Sequence, residues 1–257
     1  SWLQYGGKLF NANEAVSSIS SFGFSQKVGE SGVLGFSVMS MDFGSIEITT
    51  VDLPDGGLGT YSPKFMNMSF SYAKIFSNSI YGGATIKIIS EQISNVGANG
   101  IALDAGIQYV TGKTHNLKFG ISLKNVGPRM SFTGDGLSFR GIVGDDDDYK
   151  MTVEQRSSEL ELPALLNIGM SYDINFTRNR LTGAGTFTSN SFQKDQYRIG
   201  CEYSYREMFM FRMGYTYEEG ITTPSTRTTA LRGPSAGFTV ELPMNDNSST
   251  FGLDYSY

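Results

Sequence analysis

The sequence predicts an all-β protein, an antiparallel transmembrane β-barrel with about twelve strands in view. Three observations carry this. Apolar and polar residues alternate with period two through nearly the whole chain, the pattern of a strand with one buried or lipid-facing side. The alternating runs are near or above the ~9–11 residues that cross a bilayer as a tilted strand, and longer than the ~5–6 usual in soluble sandwiches. Tight turns and long polar connections follow one another in sequence, the asymmetry of outer-membrane barrels.

Taken in order, the runs cover residues 15–28, 32–50, 64–77, 80–95, 100–111, 115–129, 163–176, 180–192, 196–206, 207–219, 235–243 and 248–257. In the third, Met66, Met68, Phe70 and Tyr72 interleave with Asn67, Ser69 and Ser71. In the sixth, Leu117, Phe119, Ile121 and Leu123 interleave with Lys118, Gly120, Ser122 and Lys124. In the ninth, Tyr197, Ile199, Cys201, Tyr203 and Tyr205 interleave with Arg198, Gly200, Glu202 and Ser204. Tight turns join them at 29–31, 77–79, 112–114, 177–179, 206–207 and 244–247. Long connections fall at 51–63, 130–162 and 220–234, and two short ones near 95–99 and 193–195 break the alternation.

If the turns face the periplasm, the first run descends and the twelfth ascends. Secreted barrels begin and end on the periplasmic side. This predicts one further strand before Ser1 and one after Tyr257, fourteen in all, in a single domain spanning 1–257.

Composition agrees. The chain has 257 residues, 20 basic and 25 acidic, with 39% hydrophobic residues. No stretch approaches the ~20 apolar residues of a membrane helix. A mildly acidic balance lacks the basic stripe of a nucleic-acid binder. Gly 31, Tyr 14 and Phe 18 suit many strands joined by turns. Cys201 is the single cysteine and His115 the single histidine, which excludes a disulfide within the chain and His-pair metal sites.

With the apolar rows toward lipid, the lumen row holds Asn67, Thr85, Lys87, Asp104, Gln108, Lys118, Lys124, Asn167, Asp173, Arg198, Glu202, Arg212, Glu241 and Asp254. Charges of both signs suit a polar interior satisfied within itself. Gly106, Gly120, Gly169, Gly200, Gly214, Gly237 and Gly252 share these rows. They point to close approach by a plug or partner segment, or to strand curvature. Tyr72, Tyr109, Tyr172, Tyr205 and Phe209 at one end, and Tyr215, Tyr217, Tyr255 and Tyr257 at the other, form two expected aromatic girdles.

Chemistry-bearing motifs are sparse. Asp145 to Asp148 could suggest calcium, but the run lacks an EF-hand pattern and reads as a solvated acidic loop. Gly134-Asp135-Gly136 is a turn signal, not a phosphate cradle. Met208, Met210 and Met213 read as packing. No nucleophile–base pair assembles, so neither an enzyme nor a cofactor is expected.

The stretches Met41 to Thr50, Leu103 to Tyr109 and Leu123 to Pro128 resemble the PorV/PorQ outer-membrane family of Bacteroidetes. So do Gly185 to Thr222, Gly233 to Pro243 and Gly252 to Tyr257. The shared order covers nearly the whole chain. The resemblance implies a fourteen-stranded, FadL-like barrel of the type IX secretion system. It implies association with a SprA-type translocon barrel, and transfer of cargo, held by the cargo's C-terminal domain, to a surface attachment complex. The family's Asn-Pro-Ala-like N-terminal segment is absent here, and the family ends with one more strand.

Partners would then be the translocon, secreted cargo domains and outer-membrane lipid or lipopolysaccharide, met through loops outside the cell. Candidate contact residues are Asp55, Tyr61, Arg129, Phe132, Asp135, Phe139, Arg140, Asp146, Tyr149 and Arg227. The competing expectation is a FadL-like transporter of hydrophobic small molecules, which should carry a contiguous apolar pocket. A third, a soluble β-sandwich binding module, predicts extraction without detergent.

Overall fold

The computed structural model describes residues 18–51, 53–54, 56–142, 150–223, 233–243 and 250–257. Sixteen strands follow in chain order: β1 (Ser18–Val28), β2 (Gly32–Asp42), β3 (Ile46–Glu47), β4 (Thr60–Tyr61), β5 (Lys64–Ser77), β6 (Ile80–Ile93), β7 (Val96–Thr111), β8 (Leu117–Val126), β9 (Ser138–Ile142), β10 (Lys150–Glu154), β11 (Leu165–Asn175), β12 (Asn179–Asn190), β13 (Gln196–Tyr205), β14 (Phe209–Glu218), β15 (Pro234–Pro243) and β16 (Thr250–Ser256). Twelve form one sheet in the order β1-β2-β5-β6-β7-β8-β11-β12-β13-β14-β15-β16. It is an antiparallel meander of neighbours in sequence. Two small hairpins, β3–β4 and β9–β10, stand in the connections.

Each of the twelve predicted runs corresponds to one strand of this sheet, though β7, β12 and β15 begin before their runs, at Val96, Asn179 and Pro234. The third matches β5 from end to end. The second overran: β2 stops at Asp42, whose Oδ1 accepts the Gly44 N–H at 2.8 Å, and Gly44 then takes a positive φ of 81°. This Asx-type turn diverts the chain before the apolar Ile46 and Ile48 can extend the strand. The short connection placed near 95–99 is tighter and earlier. β7 already begins at Val96, and Ser94 makes the turn with φ 52°. The long connections at 51–63 and 130–162 carry short strands of their own. β4 and the β9–β10 hairpin occupy parts of them.

The distribution of apolar residues is inverted relative to a water-soluble protein. Among the described residues the buried hydrophobics are Ile89, Ala98, Ala102, Val110, Met130, Met210 and Ile221. Large side chains stand out instead: Ile199 is 66% exposed, Phe211 62% and Met213 65%. Both expected girdles are exposed throughout. Aromatic rings pair across this apolar face, as in Phe187–Tyr197 (5.1 Å), Tyr197–Tyr217 (6.4 Å) and Phe36–Phe70 (5.0 Å). A face this apolar needs a non-aqueous solvent.

The chain divides into two compact units, Ser1–Ala73 with Ala84–Asp104 and Asn125–Leu162, and Lys74–Gly83 with Ala105–Lys124 and Pro163–Tyr257. Each carries its own polar face.

Candidate functional site

In the second unit, register alone aligns a row of polar groups. Asp173 lies opposite Thr182, Thr182 opposite Glu202, and Glu202 opposite Arg212. Side chains on one face of neighbouring strands at matched register are within bonding reach. Lys118 Nζ meets Asp173 Oδ2 at 2.8 Å, and Thr182 donates to Asp173 Oδ1 at 2.7 Å. Arg212 Nε donates to Glu202 Oε2 at 2.6 Å. Its Nη1 reaches Asp254 Oδ1 at 3.1 Å and Thr239 Oγ1 at 2.7 Å, and Thr239 bonds Asp254 in turn.

Arg180 is the hub. It donates to Glu202 at 3.0 Å, to both oxygens of Glu207 at 3.1 and 3.2 Å, and to Thr182 at 2.9 Å, with Asp173 3.8 Å away. The hydrogen bonds from Arg180 hold the Glu207 carboxyl below its ordinary range, against a smaller opposing effect of burial. Three cations and four carboxylates are thus linked in one network that draws on six strands. Sequence reading placed Asp173, Glu202, Arg212 and Asp254 on this face but missed Arg180. Its parity with Thr182 and Thr186 was the available signal. Farther along β13 and β14, buried Gln196 donates to Glu218 at 3.1 Å, and Arg198 donates to Gln196 at 2.6 Å.

The first unit repeats the theme on a smaller scale. Lys87 pairs with Asp104 at 2.6 Å and donates to Asn125 at 2.9 Å, while the Asn125 N–H donates to Asp104 at 2.8 Å. Beyond Asn125 the chain turns onto β7. Gly127 sits so close to the Ile101 carbonyl that a Cβ there would overlap it, and Met130 Sδ lies against Gly100. Thr133 and Gly97 exchange backbone hydrogen bonds at 2.9 Å. The long connection is therefore anchored along β7.

The glycine row behaves differently from that anchor. A Cβ at Gly106 would meet Ser122, at Gly169 Thr186, at Gly200 the Met213 carbonyl, and at Gly237 the Tyr255 carbonyl. These neighbours belong to adjacent strands of the same sheet.

The predicted contact residues scatter. Arg129 pairs with Glu159 at 3.2 Å and with Glu161, which ties the two ends of the long connection. The Phe132 N–H donates to Ser157 Oγ at 2.8 Å. Asp135 opens a single 3-10 turn, in keeping with the turn signal there, and Phe139 and Arg140 stand exposed on β9. Tyr61 belongs to the separate β3–β4 hairpin, opposite Ile46. Asp55, Asp146, Tyr149 and Arg227 lie outside the described residues, as does the acidic run 145–148. Among the described residues no group of His, Cys, Asp and Glu is placed to hold a metal ion.

No known family profile matches the chain, and no curated protein matches it. Solved structures do. The toluene transporter TodX of P. putida superposes with a TM-score of 0.54 at 12% identity, covering 97% of this chain and 79% of that one. The fold is FadL-like. A FadL homologue from Pseudomonas aeruginosa gives 0.52 at 12% identity, over 92% of this chain and 68% of its own. CymD, a monoaromatic hydrocarbon channel, gives 0.51 at 13%, over 94% and 77%. This FadL-like sheet positions the polar row through strand register, with the apolar rows on the opposite face.

Proposed function

We propose that the chain is an integral outer-membrane barrel that works by binding protein partners in type IX secretion, without covalent catalysis. Its polar face is the observation that carries this reading. The Lys118–Asp173–Arg180–Glu202–Arg212–Asp254 ladder pairs its own charges along one face of the sheet, as a polar interior satisfied within itself requires. The ordered resemblance to the PorV/PorQ family supplies the partners: a SprA-type translocon and the C-terminal domains of secreted cargo. In this reading the loops face outward, and the connection anchored on β7 presents the exposed Phe139 and Arg140.

A second reading has its own support. TodX and CymD carry aromatic hydrocarbons, and likeness of fold favours passage of hydrophobic small molecules here too. Fold alone does not fix function. Affinity purification from detergent-solubilised membranes, with mass spectrometry of co-purifying chains, separates the two. The secretion reading expects a very large barrel protein in the eluate. A lone chain carrying bound hydrophobic molecules would favour transport.

A further inference from the structure

At the short-turn end of the second unit, the β11–β12 and β13–β14 turns enclose an open cleft of about 710 Å³. It is lined by Asn175 to Arg180 together with Arg206 and Glu207, three arginines against one glutamate. Arg180 and Glu207 are occupied with each other. Arg178 and Arg206 are both exposed, and neither has a carboxylate partner among the described residues. The cleft therefore carries two arginines that no carboxylate among the described residues engages.

Their placement is fixed by backbone geometry. The Phe176 N–H donates to the Asn179 carbonyl at 2.8 Å and closes the first turn. Arg206 and Glu207 take positive φ values of 55° and 54°, and the Met208 N–H donates to the Tyr205 carbonyl at 3.0 Å, closing the second. The Arg206 N–H donates to the Arg178 carbonyl at 2.8 Å and ties the two turns together. The Arg206 guanidinium also stands 5.3 Å from the centre of the Tyr205 ring, a cation–π contact that holds it beside the apolar face.

Aromatics border the cleft on that face. Phe176, which lines the cleft, is 58% exposed, and Tyr205, next to Arg206 in the chain, and Phe209, opposite Tyr205, are exposed as well. Aromatic girdles mark the headgroup level of a bilayer. A guanidinium fork matches a phosphate in geometry as well as charge. Two of them at headgroup depth, beside a greasy wall, fit a molecule with a phosphate at one end and acyl chains at the other.

We propose that this cleft binds the phosphate headgroup of an anionic membrane lipid, with Arg178 and Arg206 as its ligands. The inference rests on the membrane-barrel reading but not on the secretion role.

The test uses the full chain purified in detergent and titrated with phosphatidylglycerol or phosphatidylcholine, with bound lipid read by native mass spectrometry. Preference for phosphatidylglycerol is expected, falling about fivefold for each arginine removed in Arg178→Gln and Arg206→Gln. The Arg178→Lys/Arg206→Lys variant should retain part of it. Unchanged preference in the double Gln variant, with β-signature circular dichroism intact, overturns the site. Equal competition by inorganic phosphate overturns it as well, because a free-anion site then explains the binding. Recovery of the protein from cells without detergent would defeat the membrane reading itself; recovery only with detergent, but with no lipid preference, defeats this inference alone.

Discussion

Arg212 and Glu202 face each other directly across the β13–β14 ladder, Nε to Oε2 at 2.6 Å. Glu202 also accepts from Arg180 on its other side, at 3.0 Å. One carboxylate thus joins two arginines from flanking strands, and the register that aligns them aligns the whole polar row.

Arg180→Met should destabilise the protein more than any other single change in the row. It leaves Glu202, Glu207 and Asp173 without their shared cation. A loss of about 1–3 kcal/mol is expected for a partly buried, hydrogen-bonded charge. Urea unfolding in detergent measures it. Adding Glu202→Gln to Arg180→Met should cost less than the sum of the two alone.

Acid should weaken the Arg180–Glu207 contact in a defined direction. The folded-state pKa of Glu207 is lowered, first by its hydrogen bonds from Arg180. Its stabilising contribution is therefore full above the unfolded value of about 4.3, and it fades as pH falls through the lower folded value. Glu207→Gln should differ most from the parent near neutrality, and the two unfolding curves should converge only once pH has fallen below the lowered folded-state value.

Gly127→Ala should release the long connection from β7, because the new Cβ overlaps the Ile101 carbonyl. A cost of about 1–3 kcal/mol is expected, with faster tryptic cleavage at Arg129, Arg140 or Arg156. A methyl group on Gly183 would instead meet no heavy atom within 4 Å. Gly183→Ala should change stability by less than about 0.5 kcal/mol and leave the cleavage rate unaltered.

Charge on the apolar face should block membrane insertion. Ile199→Arg or Phe211→Arg places a cation where the side chain is 66% or 62% exposed, at a cost of about 2–4 kcal/mol if that depth is the bilayer midplane. The fraction of protein resisting urea extraction from membranes should fall. Lys124→Gln, on the opposite face, should leave that fraction unchanged.

Much of the sheet was legible because its period was clean. Met66 to Tyr72 and Tyr197 to Tyr205 alternate without interruption, and β5 and β13 follow them closely. The sequence was less legible where local hydrogen bonds compete with alternation. Asp42 ends β2 by capping Gly44, although the apolar pattern continues past it. β9 and β10 pair across a polar connection, and five-residue strands are too short to show a period. The polar face was readable as a set of residues but not as a network. Arg180 opens the predicted run 180–192 beside a turn, and only register brings it to Glu202 and Glu207. Among the loop residues, Arg129 ties its own loop to Glu159 and Glu161, a pairing that loop position alone does not show.

Deleting the gene and comparing surface proteins with uptake decides between the proposed secretion role of this FadL-like fold and transport. Quantitative proteomics of the cell surface and medium should show many proteins with a common C-terminal domain lost from the surface, restored by the intact gene. An unchanged set of surface proteins, together with lost uptake of a hydrophobic small molecule, would contradict it and leave transport as the function.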